Sequence, residues 1–318
     1  MKIKNILICL DLSESDKNLV EYTLFFLSKL PGQKQLTLFH NIRYDFLGGE
    51  LGVDTQDIVS LKETIVKNIR TKHKAKLNQS EMASCDIIVQ DYNSTADAIM
   101  TLKEELEIDL LVMGKKMPDE GAGIIPLKVL SLDRQRTPIL LVQSESILKL
   151  DKILAPIDLS KITNQIIDTT NYIAPKDKPK KIGLFIYKLP MTYFPYFESS
   201  DEEIEKRLKQ KAEIRINKFL AANKHLPDDS WEIEILTPFF IPISQLSSAN
   251  KHLPDDSWEI GIKKGVNISK TIVKQALQNE IDLVVMGRIG RTNLLGNQLG
   301  GTTRRVINAI IYCPILIL

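Results

Sequence analysis

Cysteine is scarce in this 318-residue sequence, which contains only Cys9, Cys85 and Cys313. Three scattered cysteines cannot build a disulfide framework or a CxxC metal site, and the four histidines show no metal-ligand spacing. No apolar stretch approaches the length of a membrane span, and the amino terminus runs into a strand-like segment without the apolar region of a signal peptide. These absences predict a cytoplasmic protein with no metal site and no membrane partner.

An excess of one charge is also lacking, because 42 Lys and Arg residues face 40 Asp and Glu residues. This balance gives no electrostatic reason to expect nucleic acid as a partner. The sequence contains neither the GxxxxGK[ST] motif of Walker-type ATPases nor the GxSxG motif of serine hydrolases with the α/β-hydrolase fold. We therefore expect neither of these two enzyme classes.

What the chain does contain is a repeat of itself. Three pairs of segments match in the same order: 6–13 with 153–160, 108–114 with 281–287, and 137–142 with 313–318. The length also suits two hydrophobic cores of about 150 residues each. The repeat predicts two copies of one domain, the first at residues 1–144 and the second at residues 151–318.

The second copy carries an insert near residues 222–260. Twelve residues, Ala222–Ile233, recur unchanged as Ala249–Ile260. Only one of the two Trp-Glu-Ile segments can occupy the central strand position of the second domain. We expect the other in a surface excursion, because loops tolerate insertions at modest entropic cost.

Short apolar runs alternate with helical patterns in both copies. In the first copy the strand-like runs are 3–10, 35–41, 86–90, 110–113 and 139–142. Fully apolar strands separated by helices predict a parallel sheet covered on both faces, and right-handed crossovers make it open and doubly wound. The predicted fold class is α/β, with two tandem doubly wound parallel sheets of five strands each.

Ligands of such sheets bind beyond the carboxyl ends of the strands, where the strand order reverses. In the second copy, Asp158 ends the opening strand, Gly287–Gly290 follows a later strand, and Gly300–Thr303 leads into a helix. Glycines let backbone N–H groups approach phosphate oxygens, and a helix N-terminus adds donors and a favourable dipole. Thr302 and Thr303 add hydroxyl donors, and Arg288 or Arg291 can screen negative charge. The alternatives are ordinary turn glycines and, for Asp158, a helix cap.

These motifs together resemble the universal stress protein family. The resemblance is carried by Asp-x-Ser after the first strand, the Asp-Leu-Val-Val-Met-Gly segment, a glycine loop of the form G-2x-G-9x-G, and a closing Cys-Pro-hydrophobic strand. It covers both copies apart from the insert. It implies a Rossmann-like, adenine nucleotide alpha hydrolase-like fold that binds ATP, with or without Mg²⁺, in the second copy.

The resemblance also assigns roles to individual residues. It places Asp158 at the adenosine end, Met286 and Gly287 beside the nucleotide, and Tyr187 where the backbone contacts adenine. The residues that it assigns to the phosphates are Gly290, Gly300, Gly301, Thr302 and Thr303. Gly301 stands where the family usually has Ser or Thr, so we expect one phosphate contact to be weakened or re-routed.

The first copy keeps Asp11 and Gly114 but has a different glycine loop. Counting back from Thr137-Pro138 puts Ile124 and Ile125 at the phosphate-contacting positions, where branched side chains block the approach of a ligand. Pro126 also removes a backbone donor. An anion site at Gly121 and Gly123 is the alternative. We expect the first copy to be a structural partner that has lost nucleotide binding.

The sequence therefore predicts a regulatory module that binds an adenine nucleotide in its second domain. Family members pair through their last strands, which implies that a tandem chain can pair its own domains; a homodimer and an unknown protein partner stay open. The rival hypotheses are a slow ATP hydrolase with weak activity and a nucleotide-free scaffold. The segment 187–197, with five aromatic residues, is interpreted as a lid, a partner-binding surface or a loop covering the sheet.

Overall fold

The apolar runs of the sequence form parallel strands in the computed structural model. The structure describes residues 2–43, 55–79, 84–116, 123–173, 178–186, 201–222, 231–236, 268–290, 299–310 and 312–318. The strands are β1 (Asn5–Leu10), β2 (Gln35–Ile42), β3 (Ser84–Asp91), β4 (Leu110–Lys115), β5 (Ile139–Gln143), β6 (Lys152–Ile157), β7 (Lys180–Ile186), β8 (Trp231–Leu236), β9 (Leu283–Met286) and β10 (Ile315–Ile317). Each strand predicted in the first copy is confirmed to within two residues at either end.

Helices connect these strands in the order that the sequence predicts. They are α1 (Ser15–Ser28), α2 (Thr55–Gln79), α3 (Thr95–Glu105), α4 (Ile124–Leu132), α5 (Lys161–Tyr172), α6 (Asp201–Ala222), α7 (Ile268–Gln278) and α8 (Gly301–Ala309). None of the helices in the described ranges is long and apolar enough to span a bilayer.

All ten strands belong to one sheet, in the order β3-β2-β1-β4-β5-β10-β9-β6-β7-β8. The N-terminal half (β1–β5) and the C-terminal half (β6–β10) thus repeat one strand order, and each half is parallel within itself. The halves meet where β5 and β10 pair antiparallel, with Ile315 opposite Leu141 and Ile317 opposite Ile139. The prediction of doubly wound parallel sheets is confirmed, but the two sheets are joined edge to edge into one.

Two core layers cover the faces of this sheet. Ile6 and Ile8 of β1 face the layer under α1, α2, α5 and α6, whereas Leu7 faces the layer under α3, α4, α7 and α8. This alternation follows from the two-residue period of a strand. Since each buried Leu or Ile side chain contributes about 1.5–3 kcal/mol, the two layers fix the strand ends to which the polar residues are attached.

The first copy of the duplicated segment, beginning at Trp231, forms β8, which pairs with β7 through Glu232 opposite Ile182. The prediction of a central position was wrong, because β8 lies at the edge of the sheet. The second copy, from Ala249 to Ile260, lies outside the described residues, as does the aromatic segment 187–197.

Candidate functional site

The order of the strands reverses between β6 and β9. From β6 the chain runs outward through β7 to β8, and β9 and β10 then lie on the other side of β6. Neighbouring parallel strands whose connections leave in opposite directions open a crevice at their carboxyl ends, where doubly wound sheets bind ligands. In this crevice, Asp158 directly follows β6 and Gly287 directly follows β9.

Asp158 forms a tight turn at the start of α5. Its Oδ1 atom accepts hydrogen bonds from the backbone N–H of Ser160 at 3.0 Å and from Thr163 Oγ1 at 3.3 Å. Leu159 has a left-handed φ of 59°, a strained conformation that in non-glycine residues clusters at ligand sites. Ser160 makes no capping bond with its side chain. Asp158 therefore stabilises the start of α5, as the helix-cap alternative predicts.

The first glycine after β9 is required by a close contact, and the second lies beside Asp158. A Cβ atom on Gly287 would lie 2.9 Å from Ile162 Cγ1, which is too close for any side chain. A Cβ atom on Gly290 would lie 3.4 Å from Asp158 Oδ2. The fold therefore places Asp158 beside the glycine loop, although they are more than a hundred residues apart in the sequence.

The second pair of glycines starts α8. Gly300 is the N-cap residue, and its N–H donates to the carbonyl of Arg288 at 3.0 Å. Gly301, the first helical residue, is exposed, and a Cβ atom there would meet no atom of the described residues within 4 Å. The first turn of α8 contains no acidic residue. The unpaired N–H groups of a helix N-terminus bind anions, so this end of the crevice suits a phosphate group.

The other predicted residues lie around this helix start. Thr303 is buried, and its hydroxyl donates to the carbonyl of Gly287 at 2.9 Å, so it joins the two glycine segments instead of offering a donor to a ligand. Thr302 is half-buried, and Met286 lies in the core with its backbone in the β9–β10 ladder. Tyr187 lies outside the described residues.

Arg288 points away from the crevice. Its guanidinium is bound to the N-terminal half, where Nη1 donates to the carbonyl of Asp133 at 2.7 Å and Nη2 lies 3.2 Å from Asp133 Oδ2. Only 3% of the residue is exposed. The expected screening of phosphate charge by Arg288 conflicts with that placement, because the sequence of a glycine loop does not show which distant residues its side chains contact. Arg291, the other candidate, lies outside the described residues.

The matching crevice of the N-terminal half contains an ion pair between two of its own side chains. Lys116 Nζ lies 3.0 Å from Asp11 Oδ2, in an ion pair across the crevice. Burial acts to raise the pKa of Asp11, but hydrogen bonds from Ser13 and Lys116 outweigh it and hold the pKa below its ordinary value. A cavity of about 140 Å³ remains in this crevice, with Asp11, Gly114 and Gly123 in its lining.

Helix α4 begins one residue away from the predicted register. Gly123 is its N-cap and Ile124 its first residue, as Gly300 and Gly301 are for α8, and both helices contain nine residues. Gly123 therefore corresponds to Gly300, and the assignment of Ile124 to that position was wrong. The connection from α4 to β5 is one residue longer than that from α8 to β10, which shifted the count from Thr137.

A family model described as the universal stress protein family matches residues 149–318. This chain belongs to the universal stress protein family. A comparison with curated protein sequences gave no match.

Solved structures extend the likeness to both halves of this universal stress protein. It is similar to a universal stress protein from Archaeoglobus fulgidus, with 14% identity, a TM-score of 0.65, and coverage of 100% of this chain and 98% of that chain. A protein of unknown function from Pseudomonas aeruginosa is also similar, with 14% identity, a TM-score of 0.60, and coverage of 99% and 92%. At this identity the likeness shows the fold.

Sequence reasoning missed the residues that join the two halves. Lys115 follows Met113-Gly114 as Arg288 follows Met286-Gly287, and both basic side chains cross to the other half, Lys115 Nζ donating to the carbonyl of Ile310. Ile310 is the C-cap residue of α8, as Asp133 is the C-cap residue of α4. A cation next to helix-terminal carbonyls is favourable. Aligning the two copies would have revealed the paired basic residues, although not Asp133.

Proposed function

We propose that the C-terminal half binds an adenine nucleotide, ATP with or without Mg²⁺, and that the N-terminal half is a degenerate second copy of the same domain. The observation that supports this most directly is the open N-terminus of α8. Within the described part of the chain, a Cβ atom on Gly301 would meet nothing within 4 Å, and the first turn of α8 has no acidic side chain. This bare helix start lies at the reversal point of the sheet, next to a glycine loop that lies beside Asp158.

In this proposal the phosphates lie against the backbone of Gly290 and of Gly300–Thr302. The adenosine end lies toward Asp158, since its carboxylate can accept a hydrogen bond from a sugar hydroxyl but would repel phosphate oxygens. Arg288 and Thr303 hold the loop in place through their side chains. Binding then orders the glycine loop, which a protein partner of this stress-response module can detect.

The N-terminal half has the opposite character. Ile124, 69% exposed, takes the place of Gly301, and the Lys116–Asp11 ion pair lies across the crevice. A branched side chain at the helix start blocks the close approach that a phosphate needs. We therefore assign one nucleotide site to the chain, with the N-terminal half as its fixed partner.

Gly301→Val gives a clean test because the new side chain meets open space. The variant should unfold at the same temperature as the parent protein, whereas its branched side chain should abolish ATP binding measured by calorimetry. Ile124→Val, the matched change at the start of α4, should leave both unchanged. One ATP bound per parent chain, lost only in Gly301→Val, is the expected result. ATP binding by Gly301→Val at parental affinity would refute the phosphate position.

Two rival functions remain distinguishable in the same experiment. Slow ATP hydrolysis would appear as phosphate release that Gly301→Val also removes. A scaffold that needs no nucleotide would show no binding of any adenine nucleotide by the parent protein. The open helix start favours the binding module over the scaffold.

A further inference from the structure

The side chain of Arg288 crosses the joint between the two halves. Although Arg288 belongs to the glycine loop of the C-terminal half, the two terminal nitrogens of its guanidinium donate hydrogen bonds to the end of α4 and the following connection in the N-terminal half. Nη1 donates to the carbonyls of Leu130 and Asp133, and Nη2 donates to the carbonyl of Thr137 at 3.0 Å and to Asp133 Oδ2. Both terminal nitrogens of the guanidinium thus donate hydrogen bonds to the same patch of the N-terminal half.

Asp133 is the anion of this patch, and its carboxylate is fully buried. Oδ1 accepts a hydrogen bond from Lys103 Nζ at 3.1 Å, and Oδ2 accepts one from the N–H of Thr137 at 2.6 Å in addition to that from Arg288. Removing one partner from a buried, hydrogen-bonded ion pair leaves an uncompensated charge. The cluster therefore holds Arg288 in one position.

The backbone of Arg288 links both segments of the candidate phosphate site. Its N–H donates to the carbonyl of Leu318 at 2.8 Å, and its carbonyl accepts the N–H of Gly300 at 3.0 Å. Arg288 also lies between Gly287 and Gly290. Any movement of this residue would shift the glycine loop and the N-cap of α8 together.

We propose that Asp133 is a positioning residue for the nucleotide site of the other half. By holding the Arg288 guanidinium, it keeps the Gly287–Gly290 loop and Gly300 in the arrangement that receives phosphate. This gives the N-terminal half a function that does not require a ligand of its own. The role in ATP affinity depends on the proposed nucleotide site, whereas the hold on the loop does not.

The test compares Asp133→Asn with Leu102→Ala in the full-length chain. Asp133→Asn keeps the size of the side chain and removes its charge. Leu102→Ala removes a buried side chain from α3 of the same half, without touching Arg288, and serves as a control for loss of stability alone. Hydrogen exchange of the Gly300 amide is measured without nucleotide, and ATP affinity is measured by calorimetry below both melting temperatures. If Asp133→Asn does not fold, the double variant Asp133→Asn/Lys103→Met is used in its place, because it also removes one of the two cations left unpaired.

We expect exchange at Gly300 to accelerate about tenfold and ATP affinity to fall about tenfold in Asp133→Asn, with neither change in Leu102→Ala. A merely structural role predicts that both variants behave alike, and that result would overturn the proposal. Faster exchange with unchanged ATP affinity would also overturn it. If the parent protein binds no ATP, the proposed function fails, and the exchange comparison still decides whether Asp133 holds the loop.

Discussion

Replacing Gly287 by alanine should create a clash of known position and size. The new Cβ would lie 2.9 Å from Ile162 Cγ1 and 3.2 Å from Ile162 Cγ2, whereas carbon atoms in good contact are about 3.5–4.0 Å apart. Ile162 cannot easily rotate away, because a β-branched side chain in a helix has one strongly preferred rotamer. The contact must therefore be relieved by movement of the loop or of α5.

The cost can be worked out from two opposing effects. Overpacking of this kind costs about 1–3 kcal/mol. The backbone of Gly287 is not left-handed, so alanine also restricts the unfolded chain and recovers about 0.4–1 kcal/mol. We expect the free energy of unfolding to fall by about 1–2 kcal/mol, measured by urea titration with an unchanged slope.

A double-mutant cycle with Ile162→Ala isolates the clash. This second change removes both γ carbons, so Gly287→Ala should become neutral or slightly stabilising in its presence. The sign of the effect thus depends on one neighbouring side chain. An equal loss of stability in both backgrounds would refute the reasoning, because the cost would then arise from the backbone and not from Ile162.

Three further predictions use urea titration as the measurement. Gly300→Ala should lower the free energy of unfolding by about 1 kcal/mol, since its Cβ would lie 3.2 Å from the Arg288 carbonyl. Gly301→Ala should raise the free energy of unfolding by about 0.5–1 kcal/mol. Equal effects of the two changes would contradict the packing argument. Burial raises the pKa of Asp16 to about 6 from 3.8, so the folded protein holds this proton more tightly and gains stability as pH falls from about 6 to about 4. The difference from Asp16→Asn should therefore vary with pH, and a constant difference would count against it. Burial lowers the pKa of Lys115 to about 8 from 10.5. The free energy of unfolding, relative to that of Lys115→Met, should therefore increase as the pH is raised from about 8 to about 10.5, and no increase would mean that the ammonium is solvated.

Local pattern was sufficient to predict most of the architecture. The strands were visible because parallel strands buried on both faces are continuous apolar runs, and Asp158 and the glycines were found because they follow such runs. Their proximity to one another follows from the shared carboxyl edge of the sheet. The edge position of β8 was missed, although its sequence, Trp-Glu-Ile-Glu-Ile-Leu, alternates acidic and apolar residues as a strand with one solvated face does.

Contacts between distant segments escaped the sequence reading. In a glycine loop, Arg288 has the chemistry of a phosphate ligand, and only the fold shows that a buried carboxylate at Asp133 holds it. The register of α4 was missed for a related reason, because counting from Thr137 assumed connections of equal length. Thr303 was expected to donate to a phosphate, but in the folded chain a nearer acceptor, the carbonyl of Gly287, takes its hydroxyl.

The joint between β5 and β10 is formed within one polypeptide, with only residues 144–151 between β5 and β6. Its two sides therefore meet at a high effective concentration that does not depend on how much protein the cell makes. In a symmetric dimer of identical subunits, every substitution appears at two places at once. Here a change such as isoleucine at the start of α4 affects one half and spares the other. Covalent linkage thus frees one half to specialise in support while the other keeps an open crevice.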